Sequence, residues 1–154
     1  YPTSPLKIAL TGGSGLIGRS LIPFLESWGH QVVRLAHGSH WSPEKGVIEP
    51  EKMEGCDALV HLAGEGIVGR WTSGKKGRIR RSRVEGTQAL VASLELLDAP
   101  PKLLLASSAI GYYGEPVQEP ATEGTPLGRG FLAEVCEEWE AAASRYSKGR
   151  VVLM

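Results

Sequence analysis

Between the apolar run KIALT (7–11) and an amphipathic stretch that ends at Gly29 lies TGGSGLIG, with glycines at 12, 15 and 18. Few sequence features restrict a fold more. The first glycine permits a tight turn, the second lets backbone approach a ligand, and the third lets a helix pack closely on a strand. Amides at the start of the following helix then face outward as donors, reinforced by the helix dipole. The pattern predicts a dinucleotide-binding turn. Its backbone at Gly12, Ser14, Gly15, Leu16, Ile17 and Gly18 would lie against a diphosphate. A glycine-rich turn without a ligand is the competing reading; the strand before and the helix after count against it.

Apolar runs and helical patterns alternate along the rest of the chain. KIALT, QVVRLA (31–36), DALVHLAG (57–64), PPKLLLASS (100–108) and RVVLM (150–154) read as strands. Helices are predicted over 15–29, from about Lys76 to Asp98, and over 130–146, with a short helical turn at PEKMEG (50–55). In the first helix, Ile17, Leu21, Phe24, Leu25 and Trp28 share one face, and Pro23 is expected to kink it or leave a carbonyl unpaired. Phe131, Val135, Trp139 and Ala142 form a stripe on the last helix. Such alternation implies an α/β fold, a Rossmann-like doubly wound parallel sheet with helices on both faces. Ligands bind such sheets beyond the carboxyl ends of the strands. Attention therefore falls on the loops after Thr11, Ala36, Ala63 and Ser107.

The end of the second strand bears on which dinucleotide fits. An acid that accepts from the adenosine ribose is expected there, but the chain has Ala36, His37, Gly38 and Ser39, with no acid before Glu44. NADP(H) is favoured over NAD(H) on that ground. His37 and Ser39, with Arg34 or Arg19, are candidates to receive a 2′-phosphate; a solvated loop histidine is the competing reading of His37. At HLAG (61–64), Leu62, Ala63 and Gly64 offer backbone to the adenine or ribose side, and His61 reads as a satisfied sheet residue. Six of nine residues in KKGRIRRSR (75–83) are basic, which usually marks a solvated helix face. Helical phase puts Arg83 apart, on the apolar stripe of Ile79, Gly86, Leu90, Leu94 and Leu97. Buried there, it needs a diphosphate, a carboxylate or carbonyl oxygens as partner.

The chain of 154 residues suits one domain, expected over 7–154 after a flexible tail at 1–6. Seventeen basic and seventeen acidic residues cancel, which argues against nucleic-acid or anionic-membrane partners. No apolar run is long enough to span a bilayer, and the start does not read as a signal peptide. Cys56 and Cys136 lack metal-ligand spacing, so a reduced cytoplasmic protein without a metal site is expected. A small-molecule substrate is the partner implied, and a homo-oligomer is open.

Taken together, TGGSGLIG, HLAGE, SRVEGT, SSAIGYYG (107–114) and FLAEVCEEWE resemble the extended short-chain dehydrogenase/reductase superfamily. More narrowly they resemble its YfcH-like epimerase-family proteins. The resemblance implies an NAD(P)-binding fold and an oxidoreductase or epimerase-like activity on a small carbonyl or alcohol, nucleotide-sugar-like in one reading. It implies a serine that orients substrate oxygen, matched by Ser108, with Ser107 bordering the nicotinamide. It also implies a Tyr-x-x-x-Lys pair for proton transfer. Near the start of the last helix stand Phe131 with Val135, or Leu132 with Cys136, and neither is such a pair. Tyr112 and Tyr113 are substitute proton donors in one reading and loop-packing rings in the other. Arg83 stands where the superfamily usually has Asn, and its charge offers a partial stand-in for the lysine. Extended members carry a further C-terminal substrate region, so the resemblance implies that the NAD(P)-binding domain over 7–154 is incomplete at its C-terminus, with that substrate region absent from this sequence. Two functional readings result: an enzyme, or a non-catalytic NADP(H)-binding sensor or scaffold.

Overall fold

The computed structural model describes residues 4–42, 47–114 and 120–154. In chain order the elements begin with β1 (Lys7–Thr11), α1 (Leu16–Ser27) and β2 (Gln31–Leu35). A short hairpin of β3 (Trp41–Ser42) and β4 (Val47–Ile48) follows, then β5 (Ala58–His61), α2 (Ser73–Glu95) and β6 (Leu103–Ala106). The chain ends with α3 (Phe131–Ala143) and β7 (Arg150–Leu153). Single 3-10 turns occupy Pro50–Lys52 and Ile110–Tyr113.

Five strands pair in parallel in the order β2-β1-β5-β6-β7. The chain steps from β1 out to β2, then returns across β1 to place β5 on its other side. The carboxyl ends of β1 and β5 therefore flank the point where strand order reverses, which is where open α/β sheets bind ligands.

Alternation of side chains divides the core between two faces. Ile8, Leu10 and Val60 pack with Ile22, Leu21 and Leu25 of α1 on one face. Ala9, Leu59, Leu104 and Ala106 pack with Leu90, Val91 and Leu94 of α2 and Ala143 of α3 on the other. Leu10, Leu59 and Leu104 are fully buried, each contributing about 1.5–3 kcal/mol relative to exposure. Helices on both faces make this the Rossmann-like α/β fold that the strand–helix alternation implies.

The structure bears out Leu21 and Leu25 of the predicted face of α1 and corrects the rest. Gly18 and Ile22 point inward, with Leu21 and Leu25 half-buried, while Ile17, Phe24 and Trp28 are more than half exposed. The cause is Gly18, where an added Cβ would lie 2.5 Å from the Gly12 carbonyl oxygen. That contact sets the rotation of the helix, so the residue four positions on, Ile22, follows it inward. Pro23 lies on the exposed side, where water can reach the carbonyl its missing N–H leaves unpaired.

Two boundaries also move. Helix α2 starts at Ser73, three residues before the predicted start, because the Thr72 side chain accepts from the Lys75 amide at 3.2 Å. It ends at Glu95 instead of Asp98. The β3–β4 hairpin was outside the prediction, since two-residue strands carry no periodicity. Of the tail expected over 1–6, residues 1–3 lie outside the described residues. Leu6 packs on the α1 side of the core, and its amide donates to His30 Nδ1 at 3.1 Å.

Candidate functional site

Gly12 turns the chain at the end of β1 with φ +75°, and a Cβ there would sit 2.7 Å from the Leu62 carbonyl carbon. Both facts require glycine. The turn closes with the Gly15 amide donating to the Gly12 carbonyl at 3.0 Å. Ser14, Gly15, Leu16 and Ile17 all stand open to solvent, with Leu16 89% exposed. No side chain caps α1, and its first turn carries no acid. An uncapped helix start leaves its first amides without intrahelical acceptors, an arrangement that receives anions. Gly12 and Gly18 thus do what their spacing implies, the one turning the chain and the other letting the helix pack closely.

Across the strand-order reversal, the end of β5 is locked to β1 and α2. Thr11 Oγ1 accepts from the amides of Leu62 at 3.2 Å and Ala63 at 3.3 Å. With both lone pairs so used, its hydroxyl donates to His61 Nδ1 at 2.7 Å. The His61 proton then resides on Nε2, which donates to Thr87 Oγ1 at 3.0 Å. All three side chains are fully buried. Burial pushes the His61 pKa down to about 4. His61 is the satisfied sheet residue its position suggests, and its partner Thr11 holds Leu62 and Ala63 beside the glycine turn.

Arg83 meets this region from α2. Its Nη1 donates to the Glu65 carbonyl at 2.9 Å, and its guanidinium lies 5.2 Å from the centre of the Trp139 ring. A Cβ at Gly64 would come within 3.2 Å of the Arg83 Cζ, so glycine lets the cation lie on backbone. Of the partners considered, carbonyl oxygen is the one present, and burial is the main influence lowering the Arg83 pKa. The glycine-rich segment after β5 is tethered: the Glu65 amide donates to Ser82 Oγ at 2.9 Å, and Trp71 Nε1 donates to the Ile67 carbonyl at 2.7 Å. Lys75 and Arg78 pair with the Glu65 carboxylate, while the rings of Trp71 and Phe131 meet edge to face at 5.9 Å.

At the end of β6 the two serines have separate partners. Ser107 Oγ donates to the His61 carbonyl at 2.9 Å, which ties β6 to β5. Ser108 donates its hydroxyl to the Glu140 carboxylate of α3. Tyr112 and Tyr113 lie in the 3-10 turn, half-buried and edge to face with ring centres 5.4 Å apart. That turn packs on α3, where a Cβ at Gly111 would come within 3.0 Å of the Leu132 Cβ. The α3 residues against this segment are therefore Leu132 and Cys136. Phe131 turns instead toward Trp71, and Val135 is buried.

The outer rim lies at the end of β2. Arg34 pairs with Glu26 of α1 at 2.9 Å, both side chains being substantially exposed, and His37 is exposed on the following turn. Glu65, Thr87 and Glu140 escaped the sequence reading. For the two on helices the signal is spacing: Thr87 is four residues beyond Arg83, and Glu140 four beyond Cys136. Glu65, on the segment between β5 and α2, carries no such signal. Among the described residues, no group of three His, Cys, Asp or Glu side chains could hold a metal, and no helix is long and apolar enough to cross a membrane.

Comparison with known proteins agrees with this geometry. The family model of the NAD dependent epimerase/dehydratase family matches residues 8–133. An epimerase family protein of Mycobacterium tuberculosis, MT2273, is 36% identical over 156 residues, covering 95% of this chain and 51% of the relative. The human epimerase family protein SDR39U1 is 30% identical, over 90% of this chain and 49% of the relative. The chain thus spans about half the length of the curated relatives it matches. Among solved structures, a nucleoside-diphosphate sugar epimerase from Corynebacterium glutamicum superposes with a TM-score of 0.82 at 34% identity, over 98% of this chain and 33% of that one. The structure of human SDR39U1 (isoform 2) with NADPH gives 0.80 at 29% identity, over 96% of this chain and 52% of that one. With the matched residues running from β1 into α3 and enclosing the glycine turn, the chain belongs to the NAD dependent epimerase/dehydratase family, as its resemblance to epimerase-family short-chain dehydrogenases implied.

Proposed function

We propose that this chain binds a nicotinamide dinucleotide, NADP(H) in preference to NAD(H), across the carboxyl ends of β1, β2, β5 and β6. The observation that carries this reading is the open glycine turn feeding an uncapped helix start, at the reversal of strand order. Amides from Gly12 to Gly18 hold the diphosphate. Backbone at Leu62, Ala63 and Gly64 borders the adenosine side, with Arg83 behind it and Ser107 on the nicotinamide side. His37 and neighbouring cations receive the 2′-phosphate. The absence of an acid at the end of β2 supports the NADP(H) preference, as does the NADPH held by human SDR39U1.

In this reading the protein is an oxidoreductase or epimerase-like enzyme for a small carbonyl or alcohol, nucleotide-sugar-like in its extended form. The coenzyme supplies hydride chemistry when bound. The chain's own residues orient the substrate oxygen at Ser108 and place the Tyr112 and Tyr113 hydroxyls nearby as proton donors. A second reading, an NADP(H)-binding sensor without turnover, draws on the missing Tyr-x-x-x-Lys pair: the α3 residues against the serine segment are Leu132 and Cys136.

Calorimetric titration with NADPH and NADH tests the shared part. Heat of binding with NADPH the tighter ligand is expected; no heat with either coenzyme overturns both readings. NADPH oxidation across a panel of carbonyl compounds then separates them. Turnover that survives a Tyr112→Phe, Tyr113→Phe double change removes the tyrosines from the chemistry.

A further inference from the structure

One stripe of α3 runs back along the segment that follows β6. Leu132 packs on Gly111. One turn later the Cys136 thiol donates to the Ala109 carbonyl at 3.8 Å. One turn later again, Glu140 accepts the hydroxyl of Ser108. The spacing of four residues aligns the three side chains on one line. Burial pushes the Cys136 thiol pKa up, the Glu140 charge adds to this, and Arg83 opposes it. Cys136 thus remains a neutral donor, and the carboxylate on the stripe is Glu140.

A serine hydroxyl has one hydrogen, and an ionised carboxylate can only accept. With that hydrogen committed to Glu140, the Ser108 oxygen has only lone pairs to offer a ligand. It suits a ligand group that donates, such as a hydroxyl. A ligand carbonyl would set two acceptors face to face, or would have to take the hydrogen from a charge-assisted bond of the stronger class. Ser107 cannot supply the missing donor, because its hydroxyl is spent on the His61 carbonyl. Nor does the backbone leave Ser108 free to swing, since its amide donates to the Met154 carbonyl at 2.6 Å.

We propose that Glu140 is a positioning residue that holds Ser108 as a hydrogen-bond acceptor, so that the site takes an alcohol in preference to a carbonyl compound at this point. The inference rests on the reading above in one respect, that Ser108 faces the bound ligand. It departs from the expectation that Ser108 donates to a substrate carbonyl.

Cyclohexanol and cyclohexanone form a suitable probe pair, similar in shape and different at the oxygen. Their dissociation constants are measured by ligand-observed NMR on the protein alone and with saturating NADP+, whose binding is first established by calorimetry. The wild type is expected to hold cyclohexanol at least about fivefold tighter, since the mispaired oxygen leaves a polar contact unmade. Glu140→Ala and Ser108→Ala each bring the ratio within about twofold, whereas Ser108→Thr retains the preference. A purely structural role for Glu140 weakens both probes together and leaves the ratio unmoved. Should Glu140→Ala fail to fold, Glu140→Gln, whose amide can donate to Ser108, carries the comparison with a ratio below that of the wild type. The proposal is overturned if the ketone binds as well as the alcohol, if neither probe binds, or if the preference survives loss of the carboxylate. Coenzyme heat with a ratio near one removes this inference alone. Absence of coenzyme heat removes the dinucleotide reading, while the ratio remains measurable on the protein by itself.

Discussion

Thr11 and His61 face each other at the ends of β1 and β5, with the Thr11 hydroxyl 2.7 Å from His61 Nδ1. Two residues fifty positions apart in the chain thereby fix the relative height of the two loops that flank the strand-order reversal. Because the ring is fully buried and neutral, this contact gives stability a defined dependence on acidity.

His61 protonates near pH 6.5 in an unfolded chain but only near pH 4 in the fold. Between these values the unfolded state binds the extra proton, so stability is complete above about pH 6.5 and falls as pH drops toward 4. A loss of about 2 kcal/mol from this group between pH 7.5 and pH 5 is expected, read by urea unfolding at each pH. Thr87→Val, which removes the hydroxyl that accepts from Nε2, should cost about 1–3 kcal/mol at pH 7.5. A flat pH profile in this window would contradict the buried neutral ring.

Gly18→Ala places a methyl group 2.5 Å from the Gly12 carbonyl oxygen and 2.7 Å from the Gly13 Cα. Backbone atoms cannot give way as a side chain can, so the turn itself must shift. A cost of about 1–3 kcal/mol is expected, and NADPH affinity should fall at least about tenfold as the amides lose their aim. Calorimetry and chemical denaturation on the same variant separate the two effects.

Rotation of α1 about its axis is tested by contrasting substitutions. Ile22→Ala removes an inward side chain and should cost about 2–4 kcal/mol. Phe24→Ser, on the open face where its ring meets Trp28 at 5.8 Å, should change stability by about 0.5 kcal/mol or less. Equal costs for the two would mean that the helix is turned as its apolar pattern alone suggests.

Arg83→Met keeps an apolar stem over Trp139 and deletes the bond to the Glu65 carbonyl. A loss of about 1–2 kcal/mol is expected. The Cys136 thiol, which Arg83 holds down against burial and Glu140, should titrate at a higher pH in the variant. A Cβ chemical-shift titration of Cys136 reads that direction.

The fold was legible where a signal was local. Five parallel strands follow from apolar runs separated by helical patterns, and the three glycines announce their turn because each answers a separate steric demand. What remained hidden depends on contacts between distant segments. Periodicity alone grouped Ile17, Phe24 and Trp28 with Leu21 and Leu25, but only the last two pack on the core, because the close approach of Gly18 to Gly12 turns Ile22 inward. Glu140 looked like one more acid on a charged helix. Only the docking of α3 along residues 108–111 turns it toward Ser108. Arg83 lay between these cases: its phase showed that it needed a partner, while the identity of that partner came from the tethered segment after β5.

Gly128 has a consequence for how the border of this site can vary. A Cβ there would fall 2.1 Å from the Tyr113 carbonyl oxygen, and its amide donates to the Tyr112 carbonyl at 2.9 Å. The chain leaves at Gly114 and is back at the same spot by Gly128, so the excursion has its mouth pinched shut by backbone alone. Doubling its length would add only about 0.6 kcal/mol of closure entropy. Descendants of this chain can therefore exchange whole phrases of sequence between Gly114 and Gly128 while the sheet beneath stays as it is.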